Sequence, residues 1–236
     1  MKKIFTLLPV LYMLSCTTEP ASDNVLTETE KAEGWQLLFD GSTMNGWKQF
    51  KGGDTCYGWI VDSGCMVSQD INTDHAADII TRKEFKDFDL KLEWKITPVG
   101  NSGVFIHAKE DSVDAIYKIA PEYQLLDDIG WGNKVSELQK SGANYAMHAP
   151  DTAIKKLKPL GEFNSTRIVV KDSLVQHWLN GEKIVEYKLW SDDWNSRKAE
   201  GKWKDAPLYG SMKSGSIGLQ NHGKKVYIKN IKIKEL

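Results

Sequence analysis

Short segments of alternating apolar and polar residues, divided by turn signals, run through most of the chain. The clearest covers residues 89–96, where Leu90, Leu92, Trp94 and Ile96 share one face and charged or polar residues take the other. A strand over 36–39 ends at Asp40-Gly41, and strands at 59–61 and 65–67 flank a turn at Ser63. Asn101-Ser102-Gly103 reads as a turn leading into a strand at 104–107. Strands at 167–170 and 174–179 join near Lys171-Asp172, and Asn180-Gly181 is a strong hairpin signal leading into 183–187. The segments 216–220 and 225–233 close the chain. In the last of these, Val226 and Ile228 are out of phase with Ile231 and Ile233, which predicts a β-bulge at Asn230. Helical periodicity is limited to single turns at 134–140 and 192–198. The pattern predicts an all-β jelly-roll sandwich of two antiparallel sheets.

One segment carries candidate chemistry. Pro121-Glu122-Tyr123-Gln124-Leu125-Leu126-Asp127-Asp128 reads as a strand with Glu122 and Gln124 on one face and Tyr123 and Leu125 on the other. A one-residue slip near Leu125-Leu126 would return Asp127 to the face of Glu122 and Gln124. Two carboxylates and an amide on one sheet face suit sugar hydroxyls and acid/base chemistry. A solvated edge followed by a two-Asp turn explains the same pattern equally well.

The ends and the composition narrow the class. Lys2 and Lys3, an apolar run over 4–14 and Ser15-Cys16 form a signal peptide over 1–15 whose cleavage box is similar to that of bacterial lipoproteins. Cys16 is the expected lipidation site, and 16–32, rich in Thr, Ser, Glu and Asp, the tether to a single domain over 33–236. This implies a membrane partner through the lipid and a bacterial cell-envelope location. Removing the leader deletes two lysines and takes the formal charge from −1 to −3, which is no footprint for nucleic acid. Cys56 and Cys65 would meet an oxidising compartment. A turn at Asp62-Ser63-Gly64 sets Cys65 opposite Val61, however, and leaves the thiols on the order of 16 Å apart, beyond disulfide reach. Zinc-site spacing is absent. The nine tryptophans suit a core or a sugar-stacking groove.

A further set of motifs runs along the chain in order. It begins with Gly34-Trp35-Gln36-Leu37-Leu38-Phe39-Asp40-Gly41 and Asn45-Gly46-Trp47, then passes through Phe85-Lys86-Asp87-Phe88-Asp89 and Asn101-Ser102-Gly103-Val104. Glu122-Tyr123-Gln124-Leu125-Leu126-Asp127, Ser141-Gly142-Ala143-Asn144-Tyr145 and Gly161-Glu162-Phe163-Asn164 follow. Trp178-Leu179-Asn180-Gly181 and Gly218-Leu219-Gln220-Asn221-His222-Gly223 complete it, and the whole set resembles a bacterial family of 3-keto-disaccharide hydrolases. The departures are mild: Lys95 and Lys229 replace arginines, and Phe163 a tryptophan. The resemblance implies a concanavalin A-like fold and glycan chemistry in the envelope. Glu122-x-Gln124-x-x-Asp127 also has the spacing of the Glu-x-Asp-x-x-Glu signature of retaining β-glucanases. An amide replaces the middle acid, which makes ordinary retaining hydrolysis the weaker alternative.

A 3-keto sugar has an acidified C2 hydrogen, so its cleavage needs a base, a donor or metal for the enolate oxygen and an acid for the leaving group. Glu122 or Asp127 is the expected base, and His222 or His107 the acid or polarising group. Gln124 and Asn101 are the expected holders of sugar hydroxyls. Glu93 and Lys95, which share a sheet face, are either part of the groove or a surface ion pair. Glu122, Asp127 and His222 also offer donors that a divalent cation would accept. His75, His148 and His177 read as structural. A non-catalytic glycan-binding lipoprotein is the remaining alternative.

Overall fold

The computed structural model describes residues 22–71, 77–110 and 113–236. The leader, Cys16 and His75 lie outside them.

The strands, in chain order, are β1 (Gln36–Leu37), β2 (Trp47–Gln49), β3 (Trp59–Asp62), β4 (Cys65–Ser68), β5 (Ile79–Phe85), β6 (Phe88–Ile96) and β7 (Asn101–Ala108). They continue with β8 (Glu122–Leu126), β9 (Asn164–Lys171), β10 (Leu174–Leu179), β11 (Glu182–Lys188), β12 (Gly215–Leu219) and β13 (Val226–Glu235). Short helices α1 (Glu28–Ala32), α2 (Asp128–Trp131) and α3 (Asp192–Glu200) decorate them. One sheet runs β11-β10-β9-β6-β13-β4-β3, with β1 also on β13; the other runs β2-β5-β12-β7-β8. Every pairing is antiparallel, so the predicted two-sheet sandwich is the observed one.

Alternation decides which side chains meet in the core. Leu90, Leu92, Trp94 and Ile96 of β6 point inward and are buried, facing Val104, Ile106, Tyr123, Leu125, Ile217 and Leu219 from the second sheet. The predicted bulge is present: the β13–β6 register shifts between Lys229 and Lys232, with Asn230 at φ 54°. It lets Ile231 and Ile233 rejoin the face of Val226 and Ile228, all four buried. Asn180-Gly181 closes β10–β11 with both residues at positive φ, as the hairpin signal requires.

Three expectations need correcting. Residues 101–103 belong to β7 rather than to a turn, because Val99 (φ 55°) and Gly100 turn the chain first. Cys65 pairs with Asp62 rather than Val61, since Ser63 and Gly64 alone make the turn; both thiols are free. Strand β5 went unread because Arg82, Lys83 and Glu84 are consecutive exposed charges that break its alternation.

The second sheet is covered on its outer face as well. Ile80 and Phe105 point outward into a small second core with Phe50, Ile116, Ile119 and Ala120. This cover spans only part of the face. The rest is open to a cavity.

Candidate active site

The cavity holds about 240 Å³ and is lined by Asn101, Tyr117, Glu122, Gln124, Tyr145, Lys202, Trp203, Gln220 and His222. Its floor is the outer face of β8, β7 and β12. Register between β7 and β8 runs unbroken from Asn101↔Leu126 to Phe105↔Glu122, so no slip occurs near Leu125. Glu122 and Gln124 share the outer face as alternation predicts. The other edge of β8 is held by the 141–145 segment: the Gly142 N–H donates to Gln124 C=O at 2.9 Å, and the Tyr145 N–H to Glu122 C=O at 3.0 Å.

A row of residues crosses four strands here. Gln124 pairs with Gly103, whose carbonyl accepts the Gln220 N–H at 3.0 Å. Continuing the Leu219↔Ile79 register then sets Gln220 across from Asp78. Glycine at 103 is required: a Cβ there would lie 2.0 Å from Glu122 Oε1, so the Glu122 carboxyl lies over the bare backbone of β7. Asn221 ties the end of the row together. Its N–H donates to Asp78 Oδ1 at 3.0 Å, its Nδ2 to the Gly58 carbonyl at 2.9 Å, and its Oδ1 accepts the Gly223 N–H at 3.0 Å. That knot fixes the loop presenting His222. Across the strands, Gln124 Nε2 donates to Asn101 Oδ1 at 2.7 Å, which orients both amides.

The roof is aromatic and cationic. Lys202 Nζ lies 4.3 Å from the Tyr145 ring centre and 4.9 Å from that of Trp203, and donates to the Tyr145 hydroxyl at 3.2 Å. Trp203 stacks on Tyr209 at 4.2 Å, Tyr209 on Trp194, Trp194 on Tyr187 and Tyr187 on His148. This ladder makes the wall behind the site rigid.

Burial dominates the electrostatics. It pushes the Glu122 carboxyl up to about 8, with a further rise from the Asp78 charge and a partial offset from Lys202. Burial also pushes Asp78 to about 8, opposed by the Asn221 N–H bond. Two carboxyl groups in one dry region repel each other, so ionising either one raises the other.

The structure brings together Glu122, Gln124, Asn101 and His222, and separates the other expected residues. Asp127 caps α2: its Oδ1 accepts the Gly130 N–H at 3.0 Å and its Oδ2 the Val99 N–H at 2.8 Å, and it lines a different hollow. Without the slip, the helix start claims it. His107 is six residues along β7 from Asn101, about 20 Å away. It is buried with Nε2 2.7 Å from the Lys86 carbonyl and edge-on to Phe88, and burial lowers its pKa. Glu93 and Lys95 project from the outer face of the other sheet. Glu93 lies 3.7 Å from Lys229, and Lys95 sits over Phe163 and Tyr227. The envisaged cation set of Glu122, Asp127 and His222 is therefore not assembled, and no group of three His, Cys, Asp or Glu side chains suits a metal among the described residues.

Sequence reasoning missed Asp78, Gln220, Lys202, Tyr117, Tyr145 and Trp203 as site residues. Gln220 and Tyr145 were inside quoted motifs. Asp78 precedes the unread strand β5, and Lys202 and Trp203 follow α3 in a segment without periodicity. His148 bonds to Asn144 and Asp193, and His177 to the Gly142 carbonyl; both are packed in the aromatic wall.

Residues 34–234 match the family described as 3-keto-α-glucoside-1,2-lyase-like domain. A Bacteroides thetaiotaomicron protein named 3-keto-disaccharide hydrolase is 31% identical over 230 residues, covering 87% of this chain and 79% of that one. A Parabacteroides distasonis structure proposed to be a glycosyl hydrolase is 44% identical with a TM-score of 0.83, covering 91% of this chain and all of that one. A second such structure from that organism is 28% identical with a TM-score of 0.58, covering 81% and 100%. A Bacillus subtilis protein with a galectin-like fold, 12% identical with a TM-score of 0.50 over 91% and 94% of the two chains, shares the fold alone.

Proposed function

The chain belongs to the 3-keto-α-glucoside-1,2-lyase-like family, and on that premise we propose that it cleaves the glycosidic bond of 3-keto-disaccharides by elimination and hydration. The observation that carries this reading is the Glu122 carboxyl, buried on the cavity floor and made more basic by its surroundings. A carboxylate of ordinary basicity is a weak match for a carbon acid. One pushed to about 8 is a better base near neutral pH.

Glu122 takes the C2 proton, and the C–H pair becomes the enolate, whose charge on the C3 oxygen is met by the Lys202 ammonium. The enolate pair then forms the C1–C2 double bond as the C1–O bond breaks, and the leaving oxygen takes a proton from His222. Water adds at C1 and returns its proton to His222, while Glu122 returns its proton to C2. The sum is one substrate plus one water giving two products. Gln124 and Asn101 hold hydroxyls of the reacting ring. A second cavity of about 610 Å³ shares Tyr117, Lys202 and Trp203 with the first and continues along Val113, Ala206, Pro207 and Leu208. It takes the leaving unit, so the scissile bond lies at the shared residues.

Retaining hydrolysis would need a second carboxylate facing the sugar. Asp127 caps a helix, and Asp78 does not line the cavity. A time course with a 3-keto-glucoside and its unoxidised parent tests the reading: turnover of the keto sugar alone is expected, and turnover of the parent, or binding without turnover, overturns it. Deuterium from solvent is expected at C2 of the product; its absence would replace elimination with direct hydrolysis. The same reading places the enzyme in the cell envelope on a lipid at Cys16, for which the Lys2-Lys3 start and apolar run are the support. Mass spectrometry of the mature N-terminus tests that.

A further inference from the structure

Asp78 has no part in the chemistry above, yet its setting is energetically unfavourable. The side chain is 1% exposed. One oxygen accepts the Asn221 N–H, while Oδ2 is buried without a hydrogen-bond partner. Across from it, the Gln220 Oε1 is also buried without a partner. An asparagine could accept the same N–H without bringing a carboxyl into a dry interior. The residue is fixed by the four-strand row that ends at Gln124, in which Gly103 lies beneath the Glu122 carboxyl. It does not line the cavity, so it reaches the sugar only through Glu122.

We infer that Asp78 is a positioning residue that holds a negative charge beneath the site and thereby strengthens Glu122 as the base. This rests on the reading of Glu122 as the group that takes the C2 proton. Burial holds Glu122 in its protonated form, whereas the Asn221 N–H favours the ionised form of Asp78. Its charge then makes the Glu122 proton harder to remove, and a base that holds its proton more tightly attacks a weak carbon acid faster. Other titratable groups face the pair from the elements packed around it. They are Lys202 and Tyr209 from the segment after α3, Tyr117 from the 3-10 turn before β8, Tyr145 from the 141–145 segment and His222 from the β12–β13 loop. Of these only Lys202 opposes Asp78 by lowering the Glu122 pKa.

The test is Asp78→Asn, which keeps the acceptor for Asn221 and removes the charge. The ascending limb of kcat/KM against pH is expected to move down by about one pH unit, with a lower plateau, because Glu122 ionises more easily and is a weaker base. A limb that stays in place, or moves up, in a folded variant overturns the inference; a merely structural Asp78 would lower the whole curve without moving it. A second measurement covers the case in which Asp78→Asn does not fold. Carbon-13 carboxyl titration of the unmodified protein is expected to show Asp78 losing its proton at lower pH than Glu122, and Glu122 losing its proton first overturns the inference. Full turnover by Glu122→Gln would instead sink the base assignment itself, a separate failure.

Discussion

The outer faces of the two sheets have much the same ingredients and opposite electrostatics. On the larger sheet, Lys91, Glu93, Arg167, Trp178 and Lys232 line a groove of about 370 Å³, larger than the 240 Å³ cavity of the other sheet. Most of its charges are paired, and Lys91 lies over the Trp35 ring. Arg167 holds Asp89 through two hydrogen bonds of 2.8 and 2.7 Å, Lys232 bonds Glu30 at 2.9 Å, and Lys229 bonds Asp23 at 2.6 Å. On the smaller sheet, Glu122 and Asp78 are buried, and both are driven towards the neutral form. Charges with nearby counter-charges describe a surface that folding can tolerate anywhere. Carboxyls kept dry work against stability, and their cost is a sign of chemistry. Unbalanced buried charge marks the site.

The largest test of that contrast is Glu122→Gln. It keeps the shape and removes the base, so kcat on a 3-keto-glucoside is expected to fall about 100-fold or more, measured by steady-state kinetics. In the unmodified enzyme, kcat/KM is expected to rise roughly tenfold per pH unit up to about 8, because the base must lose its proton first. A profile flat from pH 5 to 8 would remove Glu122 from that role.

How much of this was legible in the sequence follows from the range of each signal. The sandwich was readable because residues 89–96, the Asn180-Gly181 turn and the Asn230 bulge are local patterns with local causes. Glu122 and Gln124 were readable for the same reason, as neighbours of one strand. The second carboxylate was assigned to Asp127 by proximity in sequence. The fold instead brings up Asp78 from more than 40 residues upstream, through β5–β12–β7 pairing that no local pattern encodes. Lys202 comes from the far side, carried by a segment that has no period. His107 failed for a simpler reason: it sits at the wrong end of the right strand, and alternation says nothing about which end of a sheet is open.

A smaller effect sharpens the contrast along the groove rather than between faces. Ala206→Trp narrows the second cavity at a residue that does not line the first. The ratio of kcat/KM for a 3-keto-disaccharide to that for a methyl 3-keto-glucoside is expected to fall about tenfold, chiefly through KM for the disaccharide. An unchanged ratio would place the leaving unit elsewhere.

The contrast also predicts a gain in stability. The folded-state pKa of Glu122 is raised from 4.5 to about 8, so between those values the folded protein binds the extra proton and the unfolded chain does not. Stability from this group is therefore present at low pH and lost as pH rises towards 8. Glu122→Gln removes the loss. Urea unfolding is expected to show little difference at pH 4 and a more stable variant at pH 9, by a few kcal/mol at most. A variant less stable at pH 9 than at pH 4, relative to the parent, would mean that Glu122 is ionised and well compensated.

The smallest effect makes the sharpest control. Glu93→Gln is the same chemical change as Glu122→Gln, made on the paired face. The Glu93 side chain is 38% exposed and 3.7 Å from Lys229, which keeps its 2.6 Å bond to Asp23 when Glu93 is neutralised. No buried charge is stranded, and an exposed pair of that kind contributes little. Stability is expected to change by less than about 0.5 kcal/mol, with no pH dependence like that of Glu122→Gln, and turnover by less than about twofold. Because one oxygen is exchanged for one NH₂ in both variants, the gap between them measures what burial does to a carboxylate. Slowed turnover in Glu93→Gln would extend the site to the paired face and break the distinction between the two sheets.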